Sequence, residues 1–148
     1  MKYVRNAFDL ATNSAHTARI GDAQVNGQYA VWTRCTSRFK CQIKRRDLIS
    51  GVTATVPTPA GKVDYASSVG ADGTVFFARS GPACGAEVRL RSYTLGGVDT
   101  LMVMFKRGVD VWSTNTYSGT TADDVYYSKY PCARFQADLY KVSSPLPT

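Results

Sequence analysis

One pattern of residues recurs three times along the chain, and this recurrence limits the fold more than any other feature. The copies are "YAVWTRCTSRFKCQIKRRDL" from Tyr29, "GTVFFARSGPACGAEVRLRSY" from Gly73 and "DDVYYSKYPCARFQADLYKV" from Asp123. Each joins a Val-aromatic run to a basic residue, a short loop, a cysteine and an alternating run. The aligned valines, Val31, Val75 and Val125, stand 44 and 50 residues apart. The aligned cysteines, Cys41, Cys84 and Cys132, stand 43 and 48 apart. Two independent landmarks therefore keep nearly one period.

Further β-type runs flank each copy. "DAQV" at Asp22, "VDYASSV" at Val63 and "VDVWSTN" at Val109 precede the Val-aromatic strands. "RDLISGVTATVP" after the first copy resembles "FDLATNSAHTARI" at Phe8, and "RSYTLGGVDTLMV" is a looser third version. The turns "VNGQ" and "GADG" suit tight hairpins. The repeat is thus four short antiparallel strands, A to D, and the chain reads C-D, A-B-C-D, A-B-C-D, A-B-C. A four-stranded unit of this period is the mark of a propeller blade.

The fold expected is all-β, a partial β-propeller of four-stranded antiparallel blades, two full and two partial. About eleven to thirteen strands follow from that count. The units are 1–20 (strands C-D of a partial blade), 21–60, 61–105, 106–142 (a partial blade) and 143–148, a flexible tail. With 148 residues, 44% of them hydrophobic, the chain can build a real core. No apolar run approaches the ~18 residues of a membrane span. The first residues, "MKYVRNAFDL", hold no uninterrupted apolar stretch of the kind a signal peptide needs.

The same motifs, "DAQVNGQYAVWTRC" with "RRDLISG" and "GADGTVFFARSGPACGAEVRL" with a final "CARFQADLYKV", resemble TolB-like β-propeller proteins, in particular the secreted or lipid-anchored actinobacterial kind. The likeness runs over nearly the whole chain and rests on structural motifs, not catalytic ones. It implies a ring of six or more blades. The chain then corresponds to the C-terminal half of a larger propeller, or to a half-ring completed by a partner. Half a ring leaves apolar terminal faces uncovered, at Val4, Phe8 and Leu10 on one side and Val111, Tyr126 and Leu139 on the other. A homodimer that completes the ring, or aggregation, is expected.

Cys35 ends strand B and Cys41 begins strand C, so a hairpin places them within disulfide range. That bond would mean an oxidising compartment, and hence an extracytoplasmic location, secreted or in the cell envelope. Cys84 and Cys132 occupy equivalent points of neighbouring units, too far apart for a direct bond, and are expected free and packed as small hydrophobes. A zinc site would need a ligand pattern that the cysteine spacing and the one histidine, His16, do not supply. No metal or other cofactor is expected.

His16 lies in no catalytic signature, and the glycines around Cys84 read as turn residues. No enzyme is expected. What remains is a binding surface. B-C and D-A loops share one end of a propeller, and there fall Arg34, Arg38, Lys40, Arg79, Lys129 and Arg134. Of these, Arg34, Arg79 and Lys129 recur with the repeat. Together they are the candidate site for a protein or an acidic polymer, with Phe39, Tyr130 and Phe135 as possible aromatic platforms. Basic residues also solvate strand ends, which gives these positions a purely structural reading. Two alternatives remain: an accessory propeller cut from a larger enzyme such as a propeller-gated peptidase, and a nucleic-acid binder, prompted by the net charge of +7 alone.

Overall fold

The computed structural model describes residues 18–37, 39–134 and 136–146. These form eleven strands and no helix. Sheet 1 contains β1 (Arg19–Asn26), β2 (Tyr29–Ser37), β3 (Lys40–Asp47) and β4 (Thr53–Thr55). Sheet 2 contains β5 (Val63–Val69), β6 (Val75–Ser80), β7 (Val88–Tyr93) and β8 (Asp99–Met104). Sheet 3 contains β9 (Val109–Ser118), β10 (Ala122–Pro131) and β11 (Asp138–Pro145). Every sheet is antiparallel, with strands side by side in chain order, and no strand is shared between sheets.

Local chemistry sets the hairpins. The β1–β2 turn puts Gly27 at φ +58°, a conformation that glycine takes without steric cost. In the β5–β6 turn the Gly73 amide donates to the Gly70 carbonyl at 3.0 Å, and Gly73 itself sits at φ +86°. A side chain there would also run into the Tyr29 ring, which lies 3.0 Å from the position of a Cβ.

Sheet 2 lies between the other two. Tyr29, Val31, Ile43 and Val56 from sheet 1 and the segment after it meet Val69, Val75 and Phe77 in one core. On its other side Ala66, Ala78, Val88 and Leu90 meet Phe105, Val111 and Tyr127 in a second. This two-sided burial explains β6, "VFFARS", in which every residue is buried and alternation is lost. In sheet 3, by contrast, Val125 and Tyr127 point to the core while Tyr126 points out.

The first strands of the three sheets, β1, β5 and β9, converge, and polar side chains join them. Gln24 Oε1 accepts from the Val69 amide at 3.0 Å, while its Nε2 donates to Asn115 Oδ1 at 2.9 Å and to the Thr116 carbonyl at 3.1 Å. Asp22 Oδ2 accepts from the Ala66 amide at 3.1 Å, and Thr114 Oγ1 donates to the Ala66 carbonyl at 2.5 Å. Thr33 and Ser67 hydroxyls meet at 3.0 Å, and those of Ser68 and Thr116 at 2.7 Å. Ala66 itself sits at φ +55°, where a Cβ is strained. It is held from both sides, by β1 and by β9.

Three expectations need correction. Residues 143–145 are not a tail: they pair with β10, and Ser143 Oγ donates to Asp124 Oδ1 at 2.6 Å. Val111 is not an exposed terminal-face residue, because it fills the core between sheets 2 and 3. Cys84 and Cys132 are not free: they are bonded, with their Cα atoms 5.9 Å apart. The β8–β9 link brings their loops together, since the Gly108 amide donates to the Gly85 carbonyl at 3.3 Å and the Cys132 amide to the Gly108 carbonyl at 2.9 Å. The Cys35–Cys41 bond is present as expected. The expected strands before residue 18, His16, and Val4, Phe8 and Leu10 lie outside the described residues.

Candidate ligand-binding clefts at the loop end

The β2–β3 and β6–β7 loops meet the segments that link one sheet to the next, and two clefts open among them. The first, of about 500 Å³, lies between the three sheets and is walled by both disulfides. Its interior is organised by Asp110 at the start of β9. Asp110 Oδ1 accepts from the Val111 amide at 2.8 Å and from the Tyr65 hydroxyl, and Oδ2 accepts from the Tyr130 hydroxyl at 3.3 Å. Burial, followed by the neighbouring Asp110 charge, pushes both tyrosines above their ordinary range, so they stay protonated donors. Tyr65 also packs on Cys35, Cys41 and Val63. Arg19 and Asp22, both exposed, stand among the lining side chains.

The second cleft, of about 620 Å³, runs between the β2–β3 hairpin and the segment that joins β4 to β5. Arg34, Lys40 and Lys62 line it. Phe39, Cys41 and Pro82 belong to both clefts and form the wall between them.

The structure therefore brings together only part of the expected basic surface. Arg34 and Lys40 share the second cleft. Arg79 is buried and held on every side: Nε donates to Asp64 Oδ1 at 2.6 Å, Nη2 to Asp64 Oδ2 and to the Pro57 carbonyl at 2.8 Å each, and Nη1 to Asp99 Oδ2 at 2.9 Å. Its guanidinium is a structural tie among β5, β6, β8 and the segment after sheet 1. Lys129 is half-buried, its ammonium 4.5 Å from the Tyr140 ring centroid and 5.1 Å from that of Phe105. Such placement over ring faces is favourable in itself. Arg134 is exposed in the β10–β11 loop. Arg38 and Phe135 lie outside the described residues.

Sequence reasoning passed over Asp110, Tyr65, Asp22 and Lys62. One signal was present: the Val-Asp pair opening "VDYASSV" and "VDVWSTN" recurs at Asp64 and Asp110. Both carboxylates turn out to be hydrogen-bond centres. Among the described residues no group of three His, Cys, Asp or Glu side chains is placed to hold a metal ion, and no helix is long and apolar enough to cross a membrane. The chain matches no family model, and neither a curated protein nor a solved structure is significantly similar to it.

Proposed function

We propose that the chain is a non-catalytic binding module whose ligand, an acidic protein segment or polymer, lies in the cleft lined by Arg34, Lys40 and Lys62. The observation that carries this reading is the convergence of those three cations on one preformed groove of about 620 Å³. The Cys35–Cys41 bond fixes one wall at the base of the β2–β3 loop, so little ordering cost is left for binding. Opposite charge would steer an anionic chain into the groove.

The wider reading is that the three sheets are blades of a TolB-like propeller. It is supported by the repeat, by the chain-order pairing within each sheet and by the convergence of β1, β5 and β9. Two disulfides are compatible with a place outside the cytoplasm, where such bonds persist.

Titration calorimetry with hexaglutamate tests the groove. Affinity should fall several-fold between about 50 and about 200 mM salt, because the ligand displaces counterions. Reversing Arg34, Lys40 and Lys62 to Glu together should abolish binding. Reversing Lys44 and Arg46, which sit on β3 beside Thr55 and Thr53 at 2.6 and 3.4 Å, should weaken it only slightly. Equal losses from the two sets would mean diffuse attraction without a site.

A further inference from the structure

The cleft organised by Asp110 differs in chemistry from the basic groove beside it, and the two are separated only by Phe39, Cys41 and Pro82. Its polar groups are of both kinds. Arg19 offers planar donors and Asp22 planar acceptors, and the Tyr65 and Tyr130 hydroxyls are anchored on Asp110. Ring surface comes from Tyr65, Tyr130 and Phe39. A planar donor and a planar acceptor next to ring faces are suited to neighbouring hydroxyls on a puckered ring. The hydroxyls bond in the plane of the side chains, while the ring's C–H face lies on an aromatic surface.

We infer that this cleft is a sugar subsite, and that the ligand of the whole loop end is an acidic glycan whose hydroxyl-rich ring occupies it while a neighbouring anionic group reaches Arg34, Lys40 and Lys62. The inference rests on the anion-binding reading of the groove and names the ligand class for it. The walls are suited to a rigid ligand. Cys35–Cys41 closes the sheet 1 side, and Cys84–Cys132 ties the β6–β7 loop of sheet 2 to the end of β10 in sheet 3. Two subsites joined through one ligand multiply their affinities when the geometry lets both fill at once. The adjacent clefts, sharing three wall residues, meet that condition.

The test compares three probes on the oxidised 148-residue chain: hexaglutamate, neutral maltohexaose and hexagalacturonate. Binding is read by calorimetry and by tryptophan emission, since the Trp112 ring lies 6.0 Å from that of Tyr130. Hexagalacturonate should bind at least about tenfold more tightly than hexaglutamate, a factor one extra ring contact can supply. It alone of the two acidic probes should change the Trp112 emission. Arg19→Gln, an exposed change that leaves the core untouched, and Tyr130→Ala should each bring hexagalacturonate down towards the affinity of hexaglutamate. A melting curve for each variant excludes misfolding as the cause. Equal binding of the two acidic probes, or an affinity for hexagalacturonate indifferent to both variants, overturns the sugar subsite and leaves the anion groove standing. Binding of maltohexaose with no response to either acidic probe upholds the subsite and overturns the groove. Silence of all three probes overturns both.

Discussion

At the scale of single residues, the most instructive contrast is among the three basic side chains that recur with the repeat. Arg34, Arg79 and Lys129 occupy the same place in the sequence pattern, yet their strand partners differ. Arg34 stands opposite Ile20, Arg79 opposite Asp64 and Lys129 opposite Val111. Lys129 also has Asp138 opposite it on β11, but among the described residues only Arg79 of the three is ion-paired, with Asp64 and Asp99, and it is the one drawn into the interior. The repeat was legible, but the fate of its basic residue was not, because that fate is decided by the carboxylates that reach it from other strands, Asp64 on β5 and Asp99 on β8. Asp64→Ala should cost about 3 kcal/mol of stability, since it takes two of the four hydrogen bonds from a buried guanidinium and leaves it only Asp99 and the Pro57 carbonyl. Arg79→Lys should also be costly, because an ammonium cannot reproduce the fork. Denaturant unfolding of the two variants checks both. Asp123 poses the opposite case. It is 2% exposed, its Oδ1 has no hydrogen-bond partner, and burial holds its carboxyl above the ordinary carboxylate range. A carboxyl raised by folding binds its proton more tightly in the native state, so stability is lost as pH climbs from the unfolded value through the folded one. Asp123→Asn should therefore gain in melting temperature relative to the native chain at pH near 7, and lose that advantage in acid below the usual carboxylate range. A pH-independent difference between the two chains would contradict the assignment.

At the scale of strands and loops, the pattern was read well where only local physics mattered. Alternation and glycine turns mark the hairpins, and even β6, with no alternation, is identified by its aromatic and β-branched run. What could not be read was where one hairpin lies relative to the next. Equivalent points of adjacent sheets are too far apart for a bond in a regular stack, and nothing in the sequence marks Cys84 and Cys132 as departing from that spacing. The β8–β9 link, with Gly108 between the two loops, draws them together. The two bonds should differ in weight. Cys84–Cys132 closes a separation of 48 residues and Cys35–Cys41 one of 6. On the chain-entropy account these are worth about 4 and about 2 kcal/mol. Replacing Cys84 and Cys132 by Ser should lower the denaturation midpoint more than replacing Cys35 and Cys41, and the unreduced native chain should show no free thiols. A larger loss from the short bridge would show that pinning the β2–β3 loop matters more than chain entropy.

At the scale of the whole molecule, sheet 3 ends the stack of the described residues with an open face. Tyr117 (69% exposed), Tyr126 and Leu139 (73%) share it, in register with Asp124 and Lys141. An acid and a base on one face with apolar side chains would let two copies pair about a two-fold axis, and a homodimer is the assembly expected. Sedimentation at micromolar concentration should show a dimer, and Tyr126→Lys with Leu139→Lys should return it to monomer without loss of fold. A native chain that sediments as a monomer would mean that this face is meant for another partner or for none.

The polar seam along β1, β5 and β9 has a consequence for how the molecule breathes. The amides of Ala66 and Val69 are capped by Asp22 and Gln24, side chains that belong to another sheet. Solvent deuterium can reach these two amides only when sheet 1 parts from sheet 2, whereas the ladder amides of β2 and β3 exchange when their own hairpin opens. Exchange at residues 66 and 69 is therefore a clock for sheet separation. Substituting Gln24 by Leu should quicken it at Val69 while leaving the slow amides of β2 nearly unchanged.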